Sequence, residues 1–490
     1  MTLWRWFLFL TFVFGFAETA VPSDLYEDAY ARLGQVRQQK KTQVFDLFRS
    51  VQEKAEKIRN DELVGEFFGF LNGLYREQLL ERSLGSNTEI GLLLKDYSHT
   101  FDEYCLRNYL DFYDVLFVSA DGTLLYSLRK ETDLFANLFS DEIRETELSR
   151  QLRNHTSTFF VDYQYYLPAD EPAAFFIEPI REGKTLQGWI VLQYAINRLN
   201  TLMVDHQELG NTGEVYLVNE ERRILTNSRF SGEETSLQLR VDTKAVSDAF
   251  RKKKGHDLIN GYRGVSVLAS YESFELWGTR WALVASIEEG EILTNAYSRS
   301  PQRWLEKILK KNFPPSGGND RTFPSGRFHK VDIDEIRFSS ADNKEKLVTR
   351  GVDTCTAISV VLPGRFAYLS HISPYDKIYE AENLTNLLKE MINRIKGYKI
   401  VLSELPQLRV TVIANHEKSI AKIIDKLIRY GFHLDQVRFL RNPLADYANV
   451  VVDPVVGETW VEWVTSGAMV SRSVEVAGRW SDIGSIMKRE

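Results

Sequence analysis

Cys355 and His371 are the residues whose types and spacing could do covalent chemistry. They lie in LVTRGVDTCTAISVVLPGRFAYLSHISP, where two strand-like runs, TAISVVL and RFAYLSHIS, are joined by Pro363 and Gly364. Pairing symmetric about that turn sets Ala357 opposite His371. Cys355 then falls two residues along on the same face, and such diagonal neighbours stand about 7–8 Å apart at the backbone, within reach of a thiol and an imidazole. An imidazole that takes the thiol proton leaves a thiolate able to attack a carbonyl carbon. The spacing nominates Cys355 as nucleophile and His371 as base. The plainer alternative stands beside it, because a free Cys is usually a small buried hydrophobe and a lone strand His is usually structural. Cys105, in FDEYCLRNYL, has no such neighbour and reads as core. His99, His155, His206, His256, His329, His416 and His433 show no ligand spacing to one another, so neither a metal site nor a cofactor is expected.

The elements that would position these residues divide the chain into parts. At 490 residues it is too long for one core, and roughly 100–200 residues per domain suggests three units. From about Asp24 to Tyr97 the apolar residues follow helical spacing, as in Val44, Phe48, Val51, Ala55 and Ile58, which predicts one long amphipathic helix. Short runs rich in β-branched and aromatic residues come next: DVLFVSADGTLLYS from Asp114, then AAFFIEPI and LQGWIVLQY, an antiparallel pattern. A weak repeat at an offset of 100 residues sets Val115, Leu116, Phe117 and Val118 against Val215, Tyr216, Leu217 and Val218, and Leu125 against Leu225. One supersecondary unit is therefore expected twice. Residues 311–330, rich in Pro, Gly and Ser, read as a linker. Beyond them strand-like runs alternate with helical stretches at Lys377 to Lys396 and Glu417 to Tyr430, which argues for an α+β domain over 331–470, with 471–490 as a tail.

Composition removes several function classes. A formal charge of −7 with interspersed signs offers no basic stripe, so nucleic-acid binding is not expected. Residues 1–20 begin with Arg5 and an apolar run from Trp6 to Phe16 followed by Gly15, Ala17 and Ala20, the grammar of a cleaved signal peptide. The expected location is periplasmic or secreted, with membrane contact only if that segment is retained as an anchor. Two cysteines in different domains are not a disulfide scaffold.

Two resemblances extend this reading. LRKETDLFANL (Leu128 to Leu138), VDYQYYLPADEPAAFFIEPI (Val161 to Ile180) and LGNTGEVYLVNEERRILTNSRF (Leu209 to Phe230) resemble, in order, the KExDFxTNL, DFxxYxPSxxxPAAFIAxPI and LGxTGExYLVxxDGLMRSxSRF segments of double Cache sensor domains. The resemblance implies a sensor over 24–300, with a long helix packed on two PAS-like modules, distal at about 100–205 and proximal at about 206–295. It also implies a small-ligand pocket in the distal module, for which Tyr126, Asp162, Tyr163, Tyr166 and Pro168 are the candidates, lining one closed cavity. Such sensors usually continue into a transmembrane helix, whereas here the segment after Ile287, EEGEILTNAYSRSPQRWLEKILKK, is polar.

The second resemblance is to the chemoreceptor glutamine deamidases of the CheD family. They carry a Thr six residues before the Cys, as in TxGxGSC, and a His in a GGxAHxxLP-like strand. Thr349, Cys355 and His371 occupy those positions, with Asp353 and Thr354 replacing Gly and Ser, and the family's GGA and GGxxGR segments absent. This implies a thiol amidohydrolase acting on a protein glutamine, with Thr349 orienting His371. The competing expectation is a ligand-regulated binding protein whose deamidase-like fold is inactive.

Overall fold

In the computed structural model the described residues are 25–140, 142–204, 207–310, 322–373, 404, 407–414, 417–466 and 471–477. Helix α1 (Leu25–Arg59) runs 35 residues, roughly 50 Å at 1.5 Å per residue. It buries Leu33, Val36, Val44, Phe48, Val51, Ala55 and Ile58 along one face. The single helix expected to reach Tyr97 breaks at Asn60. Asp61 caps α2 (Glu62–Arg76) by accepting the backbone N–H groups of Leu63 and Val64 at 3.1 and 3.4 Å, and the hydroxyl of Tyr109 donates to it at 2.7 Å. A capped start of this kind ends the previous helix because an Ncap residue takes extended dihedrals. Helices α3 (Leu80–Ser83) and α4 (Glu89–Asn108) follow.

The distal sheet contains β1 (Asp114–Ser119), β2 (Leu124–Ser127), β3 (Phe159–Tyr166), β4 (Glu171–Glu182) and β5 (Thr185–Ala195), in the order β2-β1-β5-β4-β3. The proximal sheet contains β6 (Glu214–Val218), β7 (Lys254–Asn260), β8 (Ser266–Leu276) and β9 (Thr279–Glu288), in the order β6-β9-β8-β7. The run β1-β5-β4-β3 is thus repeated as β6-β9-β8-β7. Val115, Phe117 and Leu125, and their partners Val215, Leu217 and Leu225, all enter the one core built on α1. Phe48 welds the modules together: its ring lies 5.9 Å from Tyr194 and 6.0 Å from Phe160 of the distal sheet, and 5.6 and 5.4 Å from Trp277 and Trp281 of the proximal module. The far face of each sheet has its own smaller core, beside α5 (Glu147–Asn154) and α7 (Lys244–Lys252) respectively. Helix α6 (Asn197–Val204) connects the two modules.

Two helices, α8 (Glu289–Arg299) and α9 (Pro301–Lys310), leave the proximal sheet. The third domain stacks two five-stranded sheets. One orders β10 (Phe328–Lys330), β12 (Lys346–Val352), β17 (Tyr447–Asp453), β18 (Glu458–Thr465) and β19 (Ser471–Ala477). The other orders β11 (Glu335–Ser340), β14 (Phe366–Ile372), β13 (Thr356–Leu362), β15 (Arg409–Ala414) and β16 (Val437–Leu440). Leu347, Ala357, Val361, Leu369, Val450, Val461 and Trp463 fill the space between them. The outer face of the second sheet is covered by Ile420, Ile423, Ile424 and Leu427 of α10 (Glu417–Arg429), together with Leu293, Ala296, Tyr297 and Trp304 from α8 and α9. The whole is mixed α+β.

Several expected boundaries move. Phe328–Lys330, placed in the linker, pairs in parallel with β12, and Ser471–Ala477, placed in the tail, adds an antiparallel edge strand to β18. Both segments are short, and the sheet edge they join is formed by residues remote in sequence. The expected signal segment, most of the linker and the helix at Lys377 to Lys396 lie outside the described residues.

Candidate functional site

The hairpin of β13 and β14 has the register expected from its turn, with Ala357 opposite His371. Gly364, at φ 73°, supplies the left-handed residue the turn requires. Ala367 and Leu369 of β14 face the core between the sheets, so His371, two residues further, faces it as well. Cys355 lines the same core. Thr349 arrives from the opposite sheet on β12, beside an irregularity before Val352 where Gly351 takes φ 70°.

One hydroxyl fixes the state of the imidazole. Thr349 Oγ1 donates to the Val331 carbonyl at 2.9 Å and lies 2.7 Å from His371 Nδ1. Its single proton is committed to the carbonyl, so Nδ1 must carry the other proton and donate to Thr349. Nε2 is then the lone-pair nitrogen, and it is buried without a hydrogen-bond partner. Burial lowers the imidazole's pKa, against the opposing charges of Asp334 and Asp332. Burial also pushes the Cys355 thiol up, helped by Asp334 and Asp353. Thiol and imidazole are therefore both neutral at rest near pH 7. Both line one core, but no hydrogen bond joins the Cys355 sulfur to Nε2, and with both groups neutral there is no preformed ion pair. Both cysteines are free thiols, and Cys355 is 8% exposed.

Sequence reasoning missed Asp334. It precedes β11, whose Glu335 pairs with His371; its N–H donates to the His371 carbonyl at 2.6 Å, and its carboxylate accepts the Ser373 N–H at 2.9 Å. The available signal was the strand-like run EIRFSS, left inside an unassigned stretch.

The five distal candidates do not line one cavity. Tyr126 faces the helices, its ring 5.3 Å from Phe67 and Phe117, and lines a cleft of about 790 Å³ with Leu71, Leu94 and Asp102. Asp162 and Tyr163 line a cleft of about 1000 Å³ between the modules, beside Trp277 and Arg280. There Trp281 donates to Asp162 at 2.9 Å, and burial pushes that carboxyl up to about 6. Tyr166 lies on the other face of the sheet, its ring 5.0 Å from Phe175 and its hydroxyl donating to Asp133. Pro168 sits half-buried in the turn Leu167–Ala169. Alternation by itself separates Asp162 from Tyr163 and Tyr163 from Tyr166; the irregularity of β3 between Val161 and Gln164 turns Tyr163 to the α1 side and Tyr166 to the other, and a second where β1 pairs β2 turns Tyr126 toward the helices.

Among the described residues no three His, Cys, Asp or Glu side chains form a metal site, and no helix is long and apolar enough to cross a membrane. Residues 26–296, more than half of the chain, match the family described as Cache domain. No curated protein matches the chain. Similar solved structures include an extracellular ligand binding receptor from Desulfohalobium retbaense, at 13% identity and TM-score 0.30, covering 46% of this chain and 39% of that one. They include the ligand-binding domain of the Campylobacter jejuni chemoreceptor Tlp3 in complex with 4-methylisoleucine, at 12% identity and TM-score 0.36, covering 55% and 95%. A third is the ligand binding domain of the Pseudomonas aeruginosa amino acid chemoreceptor PctC in complex with GABA, at 12% identity and TM-score 0.35, covering 53% and 100%. This chain spans about two fifths of the first and nearly all of the other two.

Proposed function

The chain belongs to the Cache family, so its first 300 or so residues are a small-ligand sensor, and from that premise we propose that the sensor is exported and regulates a thiol-dependent amidohydrolase in residues 331–470. The observation that carries the enzymatic half is the Thr349–His371 contact at 2.7 Å, which leaves Nε2 as an unpartnered acceptor in the core that Cys355 also lines. In this reading Nε2 takes the Cys355 proton as sulfur attacks a carboxamide carbon, most simply that of a protein glutamine. The imidazolium then protonates the departing nitrogen, the C–N bond breaks and ammonia leaves a thioester. Water, deprotonated by the same nitrogen, cleaves the C–S bond, giving a carboxylate and the restored thiol.

The test is ammonia release from a glutamine-containing protein. Cys355→Ser and His371→Ala should each abolish it while the chain stays folded, and the double variant should be hardly worse than either, since residues acting in one step are non-additive. An undiminished rate in folded Cys355→Ser overturns the mechanism. One observation favours a second reading, in which this domain only binds: Cys355 is 8% exposed and burial holds its thiol protonated. Inertness of the unmutated chain toward every amide tried, with a partner captured through the third domain, would establish that alternative.

A further inference from the structure

We propose that the distal module takes a small organic ammonium ion, a primary amine or polyamine without a balancing carboxylate, on the face of its sheet turned away from α1. The proposal rests on the reading of this module as the ligand-binding part of the sensor.

The alternation of the sheet places the residues. Leu116 and Val118 of β1, Val191 of β5 and Phe175 of β4 line the core on the far side from α1. Asp114, Gln193 and Glu171 share that parity on the same strands, and Asp114 and Phe175 are both directly opposite Gln193. Tyr166 stands on β3 opposite Glu171. Over this face passes the segment after β2, which contributes Glu131 and Asp133; Tyr166 donates to the latter. Four carboxyl groups thus gather at one end of one sheet face. Their mutual influence is direct: Glu131 feels the charges of Asp114, Asp133 and Glu171.

A gathering of acids does not alone make a site, but here the polar atoms around it are left unmatched. Gln193 is fully buried, and neither its Nε2 nor its Oε1 has a partner. Asp133 is 4% exposed with Oδ1 unmatched, and Glu131 Oε2 and Glu171 Oε1 are also without partners. A buried polar atom without a hydrogen bond costs about 1–3 kcal/mol, so this many on one face points to donors that arrive with a ligand. Three of the four side chains offer carboxylate oxygens, which only accept when ionised, so a ligand that meets them in that form donates. The cation bearing on the cluster is Arg129, exposed at the rim, with Nε committed to the Tyr113 carbonyl at 2.9 Å and its guanidinium over the Tyr113 ring. Among the described residues that bear on these acids one guanidinium opposes them, so their ionised forms favour a ligand of net positive charge.

Burial holds two of these carboxyls partly protonated, pushing Asp114 to about 6 and Glu131 to about 7. A bound cation favours their ionised forms, so amine binding at pH 6.5 should release protons. Titration calorimetry of the full chain in buffers of differing ionisation enthalpy, with putrescine and spermidine as probes and asparagine and calcium chloride as the zwitterionic and metallic comparisons, measures both affinity and proton release. Putrescine or spermidine should bind with proton release and raise the melting temperature. The double variant Glu131→Gln/Asp133→Asn should weaken that binding at least tenfold, and Glu171→Gln, half-buried and placed to fold without difficulty, should weaken it several-fold. Amine binding unaltered in both variants overturns the site. Protection by asparagine or calcium alone, or by none of the four, overturns the amine assignment and leaves the sensor reading standing.

Discussion

At the scale of the residue, the imidazole of His371 is set by a hydroxyl and not by a carboxylate. Thr349 fixes the tautomer without adding charge, which would suit the proposed base beside a neutral thiol. Thr349→Val should leave Nδ1–H without an acceptor in a buried place. We expect a stability loss of about 1–3 kcal/mol by denaturant titration and a larger fall in kcat than in substrate affinity. Thr349→Ser should restore both, which a purely steric role for the methyl group would not allow. Because burial and the charges of Asp334 and Asp353 raise the Cys355 thiol, alkylation by iodoacetamide should be slow at pH 7 and keep rising through pH 9 with no earlier plateau. A plateau near pH 6 would mean a preformed thiolate and a different chemistry. The register that sets Ala357 opposite His371 was legible in the sequence because Pro363 and Gly364 mark the hairpin turn on their own. Tyr126 and Tyr166 were not, because irregular pairing in β1–β2 and β3 turns each side chain to a face that alternation alone does not give.

At the scale of the element, α8 joins the sensor to the third domain. Its apolar residues Leu293, Ala296 and Tyr297 enter the third domain's core, while its first turn meets the turn Leu434–Gln436. The Leu434 N–H donates to Thr294 Oγ1 at 3.0 Å, and an added Cβ on Gly290 would come within 2.1 Å of Asp435 Oδ1. A carboxylate at a helix N-terminus is favourable, but Glu288, Glu289 and Glu291 share this place, with Arg263 bonded to Glu288 at 2.8 Å and His433 3.5 Å from Glu288. Burial pushes Asp435 up to about 6. Burial lowers His433, yet Glu288 and the neighbouring acids raise it on balance. Both shifts have the same sign for stability. Asp435 binds its proton more tightly folded than unfolded, so the contact weakens as pH rises from about 4 to 6. His433 contributes stability that is fully present below 6.5 and is lost as pH climbs through its raised value. The docking of the two parts should therefore loosen from pH 5 to pH 8, seen as a growing separation of two unfolding transitions by calorimetry. Asp435→Asn should flatten the lower part of that dependence and His433→Gln the upper part. An unchanged separation across that range in the unmutated chain would remove α8 as the coupling element. The sequence marked this stretch only as too polar to span a membrane, because the surface that covers its apolar face lies some 130 residues away.

At the scale of the whole molecule, α1 is the shared support. Its middle holds both Cache modules through Phe48, and its first turn reaches the third domain, where Leu25 and Tyr26 pack against the core that α8 enters. Tyr26 also donates to Glu289 on α8. A change in the distal sheet therefore has a continuous packed route to the third domain. Phe48→Ala removes a fully buried ring that touches five aromatic side chains, and should cost about 3–5 kcal/mol. The loss should fall on both modules at once, because the ring belongs to neither alone. If the sensor governs the third domain through this helix, a saturating sensor ligand should raise the unfolding temperature of the third domain as well as that of the Cache modules, since binding energy is shared only by parts that unfold together. Tyr26→Phe should reduce that shared shift, and Gly290→Ala, whose added methyl displaces the Asp435 carboxylate, should reduce it further while leaving the ligand's affinity for the sensor intact. A third-domain transition that ignores the ligand in the unmutated chain would mean that the two parts are joined but not coupled, and that whatever regulates Cys355 acts from outside this chain.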